Sequence, residues 1–434
     1  MFPSSLFPPG TRIDGSGHLV IGGCDAVALA AELGTPLYVF DEAALRGRCA
    51  EYRREFANRY PDSLVVYAAK AYINRALARL FAEEGLGLDA VSGGELAIAH
   101  SVGFPMEHVY FHGNNKSRRE LELALEWGVG RIVVDNLHEL SLLEGVASAA
   151  GARQKVLLRI SPGVDPHTHA HVATGGAQSK FGLPLAQAGV AAERAMASPA
   201  LELVGLHFHI GSQLFDLSPY REAIDVVLGL AAEMRAERGL ALVELSTGGG
   251  LAISYCEDAP APSVAQFAEV ITSGLIAGCQ QRGLERPRLI VEPGRSITGP
   301  AGVALYTVGA IKEVPGGRRY VAVDGGMADN IRPALYGARY QAVVANRASS
   351  EPRERVWIAG KYCETGDILI EDIDLPPVAP GDTIAVPAAG AYCLSLASNY
   401  NAAPRPAVVL ARDGQARVMR RRESYDDLMS CDTM

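Results

Sequence analysis

Between about residues 37 and 299 the chain alternates two textures. Short runs rich in Val, Ile and Leu are followed by longer stretches rich in Ala, Leu and Glu with helical spacing. The apolar runs lie at 64–69, 87–91, 108–112, 131–135, 155–160, 204–210, 242–247 and 288–292. Helical stretches follow most of them, at 74–84, 93–102, 117–127, 136–149, 184–197, 219–238 and 263–281. Parallel neighbours need a crossover connection, so strand–helix alternation predicts a parallel sheet. Eight such units over this length fit a closed (β/α)₈ barrel. A doubly wound open sheet is the competing architecture.

After residue 300 the pattern shortens. Alternating runs at 303–309, 320–324, 340–344, 355–359, 383–387 and 407–411 are separated by Gly, Pro and Asp, which predicts a mainly antiparallel β domain. Two further strand-like pieces, 18–21 and 36–40, precede the barrel. The expected organisation is therefore a barrel over 37–299 and a discontinuous β-rich domain built from 1–36 and 300–434.

Composition narrows the class. The 434 residues are 48% hydrophobic and 21% charged, the balance of a folded globular chain. A formal charge of −9 disfavours nucleic acid and anionic membrane surfaces as partners, and Arg420-Arg421-Arg422 reads as a solvated strand end. Seven scattered cysteines without a C-x-x-C pair predict neither a disulfide framework nor a zinc site. The start, Met1-Phe2-Pro3-Ser4-Ser5, lacks a signal-peptide pattern, and no apolar run reaches the ~20 residues of a bilayer span, so a cytoplasmic location is expected.

The barrel reading makes the strand ends informative, because such barrels build their sites at the C-terminal ends of the strands. Those ends carry Lys70, Asp89, His112, Arg159, His209, Gly248-Gly249-Gly250 and Glu292-Pro293-Gly294-Arg295. Each has an ordinary alternative: Lys70 as a snorkelling lysine, the three glycines as a tight turn. Together they suit a cofactor with an aldehyde, a phosphate and a ring nitrogen. A desolvated Lys70 amine would form a Schiff base. The glycine backbone and Ser212 would receive the phosphate, with Arg295 adding a charge-assisted contact to phosphate or carboxylate. His209 would cover a ring face, and Glu292 would keep the ring nitrogen protonated, which strengthens the ring as an electron sink.

Longer stretches carry a resemblance. They include Tyr67-Ala68-Ala69-Lys70-Ala71, Gly87-Leu88-Asp89-Ala90-Val91-Ser92-Gly93-Gly94-Glu95, His207-Phe208-His209-Ile210-Gly211-Ser212-Gln213 and Glu292-Pro293-Gly294-Arg295-Ser296. In the second domain come Asp324-Gly325-Gly326-Met327, Ile331-Arg332-Pro333-Ala334-Leu335-Tyr336, Cys363-Glu364-Thr365-Gly366-Asp367 and Gly390-Ala391-Tyr392. In these motifs, across nearly its whole length, the chain resembles the diaminopimelate decarboxylases, which are fold type III pyridoxal-phosphate enzymes. The resemblance implies the decarboxylation of meso-diaminopimelate to L-lysine and CO₂, with Lys70 as Schiff-base lysine, His209 stacked on the ring and Glu292 at its nitrogen. It places Asp89, Ser212, Gly249, Gly294 and Arg295 around the cofactor, and Arg295 near the substrate as well. Arg332 and Tyr336 would hold the non-reacting end of the substrate, and Tyr392 would touch both molecules. Cys363 and Glu364 would enter from the other subunit of a homodimer, Cys363 as proton donor, since an ordinary thiol is mostly protonated at neutral pH.

Two departures bear on specificity. Thr365 stands where serine is frequent, and Ala402-Ala403 precede Pro404 where an arginine often stands. Three alternatives stay open. The first is a related decarboxylase of ornithine, lysine, arginine or a carrier-bound amino acid. The second is a racemase, disfavoured by Glu292, and the third a cofactor carrier, disfavoured by the second domain. His167-Thr168-His169-Ala170-His171 alternates but has no carboxylate cluster nearby, and is read as a loop near the substrate rather than a metal site. Cys24, Cys49, Cys256, Cys279, Cys393 and Cys431 are read as packing residues.

Overall fold

A computed structural model describes residues 2–165 and 179–433. The chain forms two compact units, one of Cys49–Ala252 and Ala261–Gly294, the other of Met1–Arg48, Ile253–Pro260 and Arg295–Met434. The histidines at 167, 169 and 171 lie outside the described residues.

In the first unit eight parallel strands close on themselves: Ser63–Ala68, Gly87–Ala90, Val109–Phe111, Arg131–Val134, Gln154–Ser161, Leu201–His207, Glu244–Ser246 and Arg288–Val291. Each pairs with the next, and Arg288–Val291 pairs back onto Ser63–Ala68. This closure excludes the open sheet. Strands buried on both faces need continuous apolar runs, which is why Val65, Val66 and Tyr67 succeed one another without a polar residue. Val66, Tyr110, Val133, Leu157, Val204 and Ile290 pack together in the barrel. The buried Glu244 carboxylate accepts hydrogen bonds from Tyr110 and Arg131 at 3.1 Å. The helices between strands start at polar caps, including Asn74, Ser92 and Asn136, and at capping boxes headed by Ser117 and Ser263. These caps fix where five of the βα loops end, while Leu185–Ala197 and Ser218–Arg238 start without a side-chain cap.

The second unit is a mainly antiparallel sheet in the order Ile368–Leu375, Glu354–Ala359, Arg319–Val323, Gly302–Glu313, Leu37–Asp41, Ala407–Arg412, Gln415–Arg420. Its core includes Leu19, Ile21, Leu37, Val39, Val303, Leu305, Ala385 and Val409. The boundary expected at residue 37 falls at 49, because Leu37–Asp41 pairs with Gly302–Glu313 on one side and Ala407–Arg412 on the other. All five residues of that strand are buried, as a central strand requires. Ile253–Pro260, inside the stretch expected to be barrel, also belongs to this unit. Among the described residues, no helix is long and apolar enough to cross a membrane.

Candidate active site

The strand ends of the barrel converge as polar groups. Lys70 follows Ser63–Ala68 in a single 3-10 turn, Ala69–Ala71, and its Nζ lies 3.5 Å from Asp89 Oδ2. The lysine therefore turns toward the barrel rather than away from it. Its side chain is 44% exposed, so the desolvated amine expected from the apolar run before it is not found. The turn carries the residue past the buried strand to the rim, where water reaches it. Asp89 is fully buried, and among the described residues neither of its carboxylate oxygens finds a hydrogen-bond donor.

Glu292, just beyond Arg288–Val291, is buried and held from three sides. Ser246 Oγ donates to its Oε1 at 2.7 Å, and His207 Nε2 lies 3.2 Å from its Oε2. His112 Nε2 stands 3.3 Å from Oε1, too poorly aligned for a hydrogen bond, and 3.8 Å from Asp89 Oδ1. Burial opposes the charge of Glu292, but the His112 and His207 rings outweigh it and hold the carboxyl well below the usual range. Burial pulls His207 down to about 4, so at neutral pH it serves Glu292 as an Nε2–H donor rather than a cation. His112, His207 and Glu292 bring ligand-type atoms within 4.8 Å of one another, as do Asp14, His18 and Asp25 in the other unit. In the first grouping both oxygens of Glu292 are already engaged, Oε1 by Ser246 and Oε2 by His207.

His209, two residues past the strand Leu201–His207, is kept neutral first by burial and then by the Lys70 and Arg159 charges. A Cβ at Gly248 would stand 2.7 Å from its Nδ1, so glycine there lets the ring pack against the loop. Within the Gly248–Gly250 turn one backbone N–H and one carbonyl are engaged by side chains. The Gly248 N–H donates to Ser246 Oγ at 3.3 Å, and Gly249 O accepts from the Tyr220 hydroxyl at 2.6 Å. Ser212 is half-buried on the loop after His209, and the neighbouring Leu214 bridges to Leu251.

The second unit holds the remaining predicted residues. Arg295 opens the turn Arg295–Thr298, donates from Nη1 to the Tyr255 hydroxyl at 2.7 Å, and lies 4.6 Å from the Tyr392 ring centroid. Arg332, buried at the start of the helix Arg332–Tyr336, stacks 4.4 Å from the Tyr255 centroid and donates to the Tyr340 hydroxyl. Tyr336 closes that helix, half-buried. Cys363 and Glu364 are exposed between the strands Glu354–Ala359 and Ile368–Leu375. The Cys363 N–H donates to Asn401 Oδ1 at 3.1 Å and its carbonyl accepts from Tyr400 at 3.3 Å. The departure Ala402-Ala403 thus sits on the loop that braces Cys363.

His207, Ser246, Tyr255 and Tyr340 had no role among the residues expected from the sequence. His207 and Ser246 are the last residues of barrel strands, the position that identified the others. Tyr255 and Tyr340 have no such signal. The barrel mouth fits a bound group with an aldehyde and a ring nitrogen. A lysine amine reaches the rim, a buried carboxylate lacks donors, and a second carboxylate is held ionised.

Known proteins agree with this geometry. The family model described as "Pyridoxal-dependent decarboxylase, pyridoxal binding domain" matches residues 43–299. The chain is 47% identical over 430 residues to a diaminopimelate decarboxylase of Bacillus subtilis, covering 98% of both chains. It is 44% identical to that of Halalkalibacterium halodurans, again over 98% of each. A crystal structure of diaminopimelate decarboxylase from M. jannaschii in co-complex with L-lysine superposes with a TM-score of 0.92 at 36% identity, covering 98% of both chains. Relatives this similar over nearly the full length leave one conclusion: the chain belongs to the diaminopimelate decarboxylases, a family of pyridoxal-phosphate-dependent enzymes.

Proposed function

We propose that the chain decarboxylates meso-2,6-diaminopimelate to L-lysine and CO₂, the last step of lysine biosynthesis. Pyridoxal phosphate, when bound, accepts the electron pair left behind as CO₂ departs, and does so best with its ring nitrogen protonated. Lys70 is the residue that would hold it covalently, and Glu292 the carboxylate at the ring nitrogen. His209 would cover the ring, with Asp89 beside the lysine. Ser212, Gly249, Gly294 and Arg295 would take the phosphate, and Tyr392 would border cofactor and substrate. Cys363 would return a proton to the carbon that loses CO₂. Cys363 and Glu364 are exposed on their own unit, which supports their entering the site of a second subunit in a homodimer. A cytoplasmic location belongs to the same proposal, resting on seven scattered cysteines, the usage of a reducing compartment.

One observation carries the choice of substrate. Arg332 is a buried cation with no carboxylate partner among the described residues, and its Nε finds no acceptor there. A guanidinium is always charged, so a buried one without an anion is costly until an anion arrives. Diaminopimelate brings a carboxylate at its non-reacting end. Ornithine, lysine and arginine bring only a cation there, which Arg332 repels.

The test is CO₂ release from meso-diaminopimelate, L-ornithine, L-lysine and L-arginine, measured side by side with added cofactor. Release from diaminopimelate alone is expected. Release from a monocarboxylate substrate at a comparable kcat/KM, or none from diaminopimelate, sinks the proposal.

A further inference from the structure

Cys363 and Glu364 lie in the hairpin that joins the antiparallel strands Glu354–Ala359 and Ile368–Leu375. The base of that hairpin is locked into the fold. Asp367 is buried, and its carboxylate accepts from the Met327 N–H at 2.6 Å and from the Tyr362 N–H at 2.8 Å. A Cβ at Gly326 or Gly360 would collide with that carboxylate, which accounts for glycine at both positions. The Gly360 N–H donates to Asp367 O at 2.9 Å and closes the base from the main chain as well.

The tip is supported differently. Cys363–Gly366 is exposed, and a turn further along the chain grips its first residue. Asn401 Oδ1 accepts from the Cys363 N–H at 3.1 Å, and the Tyr400 hydroxyl donates to Cys363 O at 3.3 Å. Asn401 and Ala402 have φ of 53° and 55°, two successive side chains in the left-handed region that L-residues disfavour. Such backbone persists only where its surroundings over-determine it. Here Asn399 does so: its Nδ2 donates to Ala403 O at 3.0 Å and to Glu423 Oε2 at 2.7 Å, while its carbonyl accepts from the Ala402 N–H at 2.9 Å. Position 401 therefore asks for two properties at once, tolerance of the left-handed conformation and an acceptor. Asparagine and aspartate supply both, and glycine only the first.

We infer that Asn401 is a positioning residue for the reaction: from a strained turn it fixes the main chain at Cys363, and with it the place from which the thiol returns its proton. The inference rests on the reading of Cys363 as proton donor. Proton transfer needs the donor within hydrogen-bond reach of its target, so a tip held only at its base would slow the return of the proton. Substrate binding would change little, because the distal carboxylate is assigned to Arg332.

The test uses the full-length, cofactor-loaded enzyme and two variants. Asn401→Gly keeps the turn and loses the acceptor. Its kcat for diaminopimelate should fall about 3- to 10-fold, the usual range for one neutral hydrogen bond, with KM within about twofold of wild type. The solvent isotope effect on kcat should rise, because proton return becomes the slower step. Amide hydrogen exchange over residues 361–366, read by mass spectrometry, should quicken by a similar factor. Asn401→Asp restores an acceptor in a residue that suits the turn, and should recover most of the lost kcat and of the exchange protection. A Gly variant with wild-type kcat and isotope effect, a rise in KM equal to the fall in kcat, or an Asp variant as impaired as the Gly variant each overturns the inference. Should the Gly variant fail to load cofactor, Asn401→Ser, whose hydroxyl stops one bond short of the Cys363 N–H, decides by the same readouts. Failure of the proton-donor reading would show separately, as Cys363→Ala enzyme that keeps the wild-type kcat.

Discussion

His207 Nε2 lies 3.2 Å from Glu292 Oε2, and both side chains are buried among barrel strand ends. The pair gives the fold a definite acid sensitivity. Burial lowers the folded pKa of His207 from 6.5 to about 4. The unfolded chain therefore binds this proton at a pH where the folded chain does not. Stability from this group is complete above pH 6.5 and is lost as pH falls toward 4, amounting to about 3 kcal/mol at most. His207→Gln keeps an N–H for Glu292 but cannot titrate. Denaturant unfolding at pH 7, 5.5 and 4.5 should show a smaller loss for the variant than for wild type. Parallel curves would refute the assignment.

Arg332 gives a prediction in which stability and function move apart. A buried cation without a carboxylate partner burdens the fold, so Arg332→Met should leave it as stable or more stable, by up to about 2 kcal/mol. The same change removes a charge-assisted contact to the distal carboxylate and should raise KM for diaminopimelate by about 10- to 100-fold. Thermal melting and steady-state kinetics on one preparation check both halves. A destabilised variant with unchanged KM would assign Arg332 to packing alone.

Much of this was legible in the sequence because parallel strands buried on both faces leave little choice of residue. All eight barrel strands appear where apolar runs occur, and seven of their ends had already been marked by Lys70, Asp89, His112, Arg159, His209, the 248–250 glycines and Glu292. The β domain was harder to read. Ile368–Leu375 places Glu371, Asp372 and Asp374 in a strand that tolerates them at exposed positions and at the left-handed Asp372, so its composition argues against its conformation. Gln415–Arg420 is an exposed edge strand with basic side chains, a composition that protects an edge from pairing and also hides it from an apolar pattern. Tyr255 escaped notice for another reason. It meets Arg332, which lies 77 positions further along the chain, and no local periodicity encodes that contact.

Lys70 is 3.5 Å from Asp89 and partly exposed, which suits an amine that must meet an incoming aldehyde. Wild-type protein loaded with cofactor should be yellow, and borohydride should bleach it by reducing the linkage. Lys70→Ala should stay colourless after the same incubation and dialysis. Colour retained in Lys70→Ala, stable to dialysis, would move the attachment elsewhere.

Cys363 and Lys70 offer a test of shared sites that needs no structure of the complex. If Cys363 serves the barrel of the other subunit, Lys70→Ala and Cys363→Ala homodimers are each nearly inactive, for different reasons. Random exchange of subunits makes half the dimers mixed. Each mixed dimer has one site with both residues intact and one with neither, so activity should return to about a quarter of wild type. If Cys363 acts on the barrel of its own chain, every site in a mixed dimer still lacks one group, and mixing restores nothing. Because Cys363 is exposed on a turn held by Asn401 and Tyr400, its replacement by alanine leaves the fold unstrained, and lost activity in that variant reports chemistry. Activity measured before and after co-incubation under conditions that allow subunit exchange separates the two cases.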